Sequence, residues 1–157
     1  ERGDRDAHGY NQGVPMGGDL AADAAAGAPQ FLAYAQQDPL AAPLERLQLI
    51  KGWLDDAGQS HYSVTDVAGG PGGVAADATP PGHAALCALV EDPAFDPAQA
   101  AYYYLRVVEV PSPRWSSYAC ASLSAAEQRS LCDDNGAPAT IRELAWTSPI
   151  WYLPREQ

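Results

Sequence analysis

Ala101-Tyr102-Tyr103-Tyr104-Leu105-Arg106-Val107-Val108-Glu109-Val110 is the stretch that decides the fold class. It is rich in aromatic and β-branched residues, which suit a pleated surface. Read with a period of two, Tyr103, Leu105, Val107 and Glu109 share one face, and Tyr102, Tyr104, Arg106, Val108 and Val110 share the other. A strand apolar on both sides belongs in the middle of a sheet. Pro111 and Pro113 follow and stop the ladder, because proline has no N–H to donate.

Working outward, other strands are expected at Gln30–Gln36, Leu44–Leu54, His61–Val67 and Ala84–Val90, with a last one running from Ile141 into Trp151-Tyr152. In the second of these, Leu47, Leu49 and Trp53 are expected inward, and Arg46 and Gln48 outward. Asp38-Pro39 and Asp55-Asp56-Ala57-Gly58 read as turns. Fourteen glycines and fourteen prolines disfavour long helices. Strands joined by turns, without alternating helices, predict a mainly β fold: an antiparallel immunoglobulin-like or fibronectin-like β-sandwich with long loops and one short helix. The expected division is an extended lead-in over residues 1–28, where the alanines from 21 onward can form a helical turn, and a sandwich domain over 29–157. A Gly/Pro-rich stretch from Gly69 to Gly82 reads as a long loop.

The 157 residues carry a net charge of −11, which disfavours a phosphate backbone or an anionic membrane surface as partner. No apolar run approaches the ~20 residues needed for a membrane-spanning helix. The chain opens Glu1-Arg2-Gly3-Asp4, without an initiating methionine or a signal peptide, and the expectation is a processed or excised piece.

Cys120 and Cys132 bracket a short segment in which Ser124-Ala125-Ala126-Glu127 reads as a capping box. A two-turn helix there brings the sulfurs together, and a Cys120–Cys132 disulfide is expected. It implies an oxidising compartment, periplasmic or secreted. Two reduced thiols in a cytosolic protein are the alternative. Cys87, in an apolar strand, reads as a small buried hydrophobe.

Motifs that carry chemistry are sparse. There is no GxSxG elbow, P-loop or dinucleotide fingerprint. His8, His61 and His83 are far apart and lack ligand partners at i+2 or i+4. The serines after Arg114-Trp115 have no neighbouring base, and Asp55-Asp56 and Asp133-Asp134 read as solvated turn residues. Asp92 and Asp96, each before a proline, read as turn caps, with calcium binding by Glu91, Asp92 and Asp96 as the alternative. Arg114, Trp115 and Trp146 are candidates for an interface, since arginine and tryptophan combine contact area with a polar handle. The plainer alternative is a tryptophan packed at a sheet edge with arginine stacked over it. An exposed row of Tyr102, Tyr104 and Trp151 would instead mark a binding or assembly module.

Several stretches resemble one bacterial family, catalogued as domain of unknown function 3604. They are Gly9-Tyr10-Asn11-Gln12-Gly13-Val14-Pro15-Met16-Gly17-Gly18-Asp19-Leu20, Leu44 to Trp53, Asp92 to Gln99, Tyr103 to Val107 with Pro111 to Ser116, and Ile141 to Tyr152. Their order and approximate spacing match along the chain. Members of that family look like metal-dependent hydrolases of the polymerase and histidinol phosphatase type, with the metal ligands in an N-terminal part. The resemblance implies that this chain is an exported C-terminal β-rich portion packed on that catalytic region. No metal ligand, catalytic residue or cofactor is therefore assigned to this chain; the divalent metal is implied for the N-terminal part alone.

Overall fold

The computed structural model describes residues 11, 13–20, 27–70, 82–132 and 138–154. The alanine run after Leu20, the centre of the Gly/Pro-rich loop, His8 and Asp133-Asp134 lie outside the described residues. The fold is mainly β, with open sheets. In chain order the strands are β1 (Asp19–Leu20), β2 (Gln30–Gln36), β3 (Leu44–Leu54), β4 (Ser60–Gly69), β5 (Ala85–Glu91), β6 (Ala101–Glu109), β7 (Ser112–Pro113), β8 (Thr140–Ile141), β9 (Leu144–Trp146) and β10 (Ile150–Tyr152). Helices α1 (Trp115–Ala121) and α2 (Ala125–Leu131) stand between β7 and β8.

As its two-sided pattern predicts, β6 is central. It pairs antiparallel with β3 on one side and with both β9 and β10 on the other. The sheet runs β1-β10-β6-β3-β4, with β9 alongside β6. Asp19–Leu20, inside the segment read as a lead-in, pairs parallel with β10 and so is built into this sheet. Strands β2 and β5 form a separate two-stranded ribbon. The ribbon lays Phe31, Ala33 and Leu86 over the inner face of the large sheet. That face carries Leu47, Leu49, Tyr103 and Tyr152, and the Phe31 and Tyr103 rings lie 4.6 Å apart.

The boundaries of β2 and β3 match the expected ones. The single terminal strand does not: the segment 140–152 is three short strands. Pro149 lacks the N–H that a ladder needs. The stretch nevertheless stays bonded to β6 through Glu109 N–H to Glu143 O (3.1 Å), Thr147 N–H to Leu105 O (3.0 Å) and Leu105 N–H to Thr147 Oγ1 (3.0 Å).

One short helix was expected between the cysteines; among the described residues two, α1 and α2, are found in this region. β6 ends at Glu109, ahead of Pro111, but Pro113 does not stop pairing as expected: Ser112-Pro113 pairs with β8, after which Arg114 takes an extended conformation and the chain turns helical from Trp115. The capping box opens the second helix, where Ser124 N–H donates to Glu127 Oε2 at 3.0 Å. The Cys120–Cys132 disulfide forms, with Cα atoms 6.2 Å apart, and staples the two helices together. Cys87 is exposed, contrary to expectation. On β5, Leu86 turns inward, so the pleat sends Cys87 to the ribbon's outer surface.

The Asp92 turn is tied to the core by a buried ion pair. Lys51, opposite Tyr103 in the β3–β6 register, donates to Asp92 Oδ2 at 2.7 Å and to Ala94 O at 2.7 Å. Tyr103 OH donates to the same carboxylate oxygen at 2.8 Å. Ala94 N–H and Ala98 N–H donate to the side chains of Asp92 and Asp96, the turn-capping arrangement that was expected. Burial opposes ionisation of Asp92, but the bonds from Lys51, Tyr103 and Ala94 outweigh it and hold the carboxyl below its ordinary range. Burial, and then the bond to Asp92, push the Tyr103 hydroxyl upward, so it remains a donor.

Two outcomes follow. Asp92→Asn leaves the Lys51 charge buried without its counter-ion, and urea unfolding is expected to show a loss of about 3–5 kcal/mol. Because the folded carboxyl titrates below the unfolded one, the Asp92 contribution is complete above the unfolded value and disappears as pH falls through the folded value. The variant should therefore lose part of the wild-type acid-range dependence of stability. Separately, replacing Cys120 and Cys132 by serine should destabilise the chain by about 3 kcal/mol on the chain-entropy model, given a separation of 12 residues. Calorimetry of the two forms measures it.

Candidate functional site

The outer face of the large sheet is set by the even-numbered residues of β3 and β6, because their odd neighbours point under the ribbon. Cross-strand register builds three rows there. One runs Trp151, Tyr102, Gly52, Tyr62. The next runs Tyr104, Ile50, Val64. The third runs Trp146, Arg106, Gln48, Asp66. Arg106 Nε donates to Gln48 Oε1 at 2.7 Å, and Gln48 Nε2 donates to Asp66 Oδ1 at 2.6 Å. This polar relay explains why Gln48, on the face expected to point outward, is buried.

Aromatic rings dominate the surface beside that relay. Tyr102 and Tyr104 are near parallel, with centroids 6.3 Å apart, and Trp151 lies 5.4 Å from Tyr102. Trp146, Tyr62 and Trp151 are 59 %, 75 % and 43 % exposed. Gly52 makes this arrangement possible: a Cβ there would run into the Tyr102 ring, which lies across the β3 backbone. The face thus offers apolar ring surface next to fixed hydrogen-bonding groups, a composition suited to binding.

The three interface candidates do not converge. Trp146 belongs to the outer face, opposite Arg106. Arg114 and Trp115 stand at the start of α1, beyond the β7–β8 pair, with Arg114 N–H bonded to Ala139 O at 3.0 Å. Trp115 is 80 % exposed, so it is not a ring packed at a sheet edge. Arg142 turns inward instead: it pairs with the fully buried Glu45, which Arg46 also contacts at 2.9 Å. The burial of Glu45 was not legible in sequence; a β-bulge between Leu44 and Arg46 places it.

His61 stacks on Trp53 with centroids 5.6 Å apart and lies 2.8 Å from Asp55 Oδ2. That carboxyl is held below its ordinary range by the His61 bond and by the Gln59 amide. His83 bridges to Leu44 through its backbone. Among the described residues, no group of three or more His, Cys, Asp or Glu side chains is placed to hold a metal ion, and no helix is long and apolar enough to cross a membrane.

Fold and surface together define a mainly β protein with a disulfide-stapled helix pair and an aromatic sheet face. The family model described as protein of unknown function (DUF3604) matches residues 1–154, and the chain belongs to that family. No curated protein and no solved structure matches it.

Gly52→Ala should displace the Tyr102 ring and cost about 1–3 kcal/mol through overpacking. Near-ultraviolet circular dichroism should record the lost Tyr102–Trp151 contact, with the far-ultraviolet spectrum unchanged.

Proposed function

We propose that this chain is the non-catalytic β-rich portion of an exported metal-dependent hydrolase. In this reading its outer sheet face packs on the catalytic region of the same parent polypeptide, supporting or covering the active site. The observation that carries the reading is the aromatic face itself: Tyr102, Tyr104, Trp146 and Trp151 form a contiguous, partly exposed surface on one side of the sheet. Arg114 and Trp115 supply a second contact at the start of α1. Contiguous exposed apolar surface on a globular protein marks an interaction site. The hydrolase class rests on the family resemblance alone, and the divalent metal that it implies would be held by the catalytic region. The ribbon over the inner sheet face favours the finer description as a β-sandwich of immunoglobulin-like type, with β2 and β5 as its smaller layer. The Cys120–Cys132 disulfide supports a periplasmic or secreted location.

A second reading is an independent binding or assembly module. It is favoured by the same rings, which remain accessible on the isolated chain.

The two readings are separated by joining the chain to the upstream catalytic region. Metal-dependent hydrolysis should appear in the joined protein and be missing from the 157-residue chain under the same metal. Trp146→Ala and Trp151→Ala should weaken the association of the two parts at least tenfold without altering the fold of this one. Phosphoester hydrolysis by the chain alone, or association indifferent to both substitutions, overturns the proposal.

A further inference from the structure

We infer that the outer edge of β4 pairs antiparallel with the same edge of a second copy of this chain, joining two sheets into one across a two-fold axis at Ser63. This inference is independent of the hydrolase reading.

Among the described strands, β4 pairs with β3 alone, so it forms one margin of the large sheet. Its later residues Val67 and Ala68 pack against the core under the ribbon. The seven residues from Ser60 to Asp66 are all exposed, on both faces of the strand. The orientation of their main chain follows from the β3–β4 turn, where Asp55 N–H donates to Gln59 O at 3.0 Å. Antiparallel strands alternate their hydrogen-bonding direction residue by residue. His61, Ser63 and Thr65 therefore bond to β3, and Ser60, Tyr62 and Val64 aim their N–H and C=O groups away from it.

Edge strands are normally blunted by charges, by proline or by cover. This stretch contains no proline, and its two charge-bearing side chains are drawn back toward β3. His61 stacks on Trp53 and lies 2.8 Å from Asp55 Oδ2. Asp66 Oδ1 accepts from Gln48 Nε2 at 2.6 Å. The strand thus presents main-chain donors and acceptors without a charge of its own set against a partner strand.

The occupant that fits is another β4. Laid antiparallel about Ser63, the exposed window sets Tyr62 against Val64 of the second copy, His61 against its Thr65 and Ser60 against its Asp66, and the reverse. Facing residues lie on the same side of the sheet, an aromatic ring meets a β-branched side chain, and no like charges oppose each other. Tyr62 and Val64, whose main-chain groups point outward in both copies, become the hydrogen-bonded pairs. A loose peptide would have to be ordered on this edge, whereas a second copy arrives with its strand already formed. The other margin of the sheet is β1, only two residues long, so pairing through this sheet closes at a dimer. The axis stands perpendicular to the sheet, so the row Trp151, Tyr102, Gly52, Tyr62 runs on into the second copy and both aromatic faces look the same way. The net charge of −11 on each copy opposes their approach, and salt screens it.

The test is sedimentation of the 157-residue chain over a concentration series at low and at high salt, with amide hydrogen exchange at both ends of the series. A monomer–dimer equilibrium is expected, tighter at high salt. In the dimer the Tyr62 and Val64 amides should exchange about tenfold more slowly than in the dilute chain. Val64→Pro removes an N–H that faces outward, which an edge strand accommodates, and should weaken self-association about tenfold. Tyr62→Lys and Val64→Asp should each weaken it as well. An equimolar mixture of those two variants should pair better than either alone, because the register sets the introduced ammonium against the introduced carboxylate. If the proline variant does not fold, this mixture decides the matter. Trp151→Ala, at the far end of the aromatic row, should leave self-association unchanged. A chain that stays monomeric at every concentration and salt, a dimer that dissociates as salt rises, Tyr62 and Val64 amides that gain no protection, or a dimer lost on Trp151→Ala would each overturn the assignment. A mixture that pairs no better than its components would overturn the register about Ser63.

Discussion

The architecture turns on a buried charge pair. Lys51 and Tyr103 face each other across the β3–β6 register, and both reach the same oxygen of Asp92. A lone ammonium at that depth would be costly; paired with a carboxylate and also bonded to the Ala94 carbonyl, it is satisfied. The consequence is positional. The turn after β5 is anchored against the central strand pair, Phe95 packs edge-on against Tyr152 at 4.9 Å, and Tyr152 OH reaches Pro97 O at 2.8 Å. One end of the ribbon is thereby tied to the sheet that it covers.

Fixing the ribbon gives the large sheet two unlike faces. Under the ribbon, Phe31, Leu47, Leu49 and Tyr103 are removed from water and supply the apolar burial that holds the two layers together. On the other face, the Arg106–Gln48–Asp66 relay satisfies polar groups in place, while aromatic rings remain accessible. The same strands thus supply the core with their odd residues and a recognition surface with their even ones.

Much of the framework was readable from residue patterns. The alternation in β6, its end ahead of Pro111, the Asx-type turns at Asp92 and Asp96, and the capping box at Ser124 are local signals, and each is found where it was expected. So is the disulfide, because a short helix between cysteines is a local geometric constraint. The misreadings are those in which a neighbour decides. Cys87 is exposed because its strand lies in a two-stranded ribbon covered on one side only. Residues 140–152 break into three pieces because they take different partners: 140–141 pair with β7, and 144–146 and 150–152 pair with β6. Arg142, close to Trp146 in sequence, turns to Glu45, far away along the chain, which no local signal indicates.

Composition and periodicity alone settled that this chain is built of strands, which of them is central, and where turns and staples fall, since these depend on backbone sterics and on neighbours a few residues away. Which face of the sheet is covered, which carboxylate receives Lys51, and which rings gather with Trp151 were decided only by tertiary structure. Those outcomes depend on strand register and layer packing, which join residues that the chain itself holds far apart.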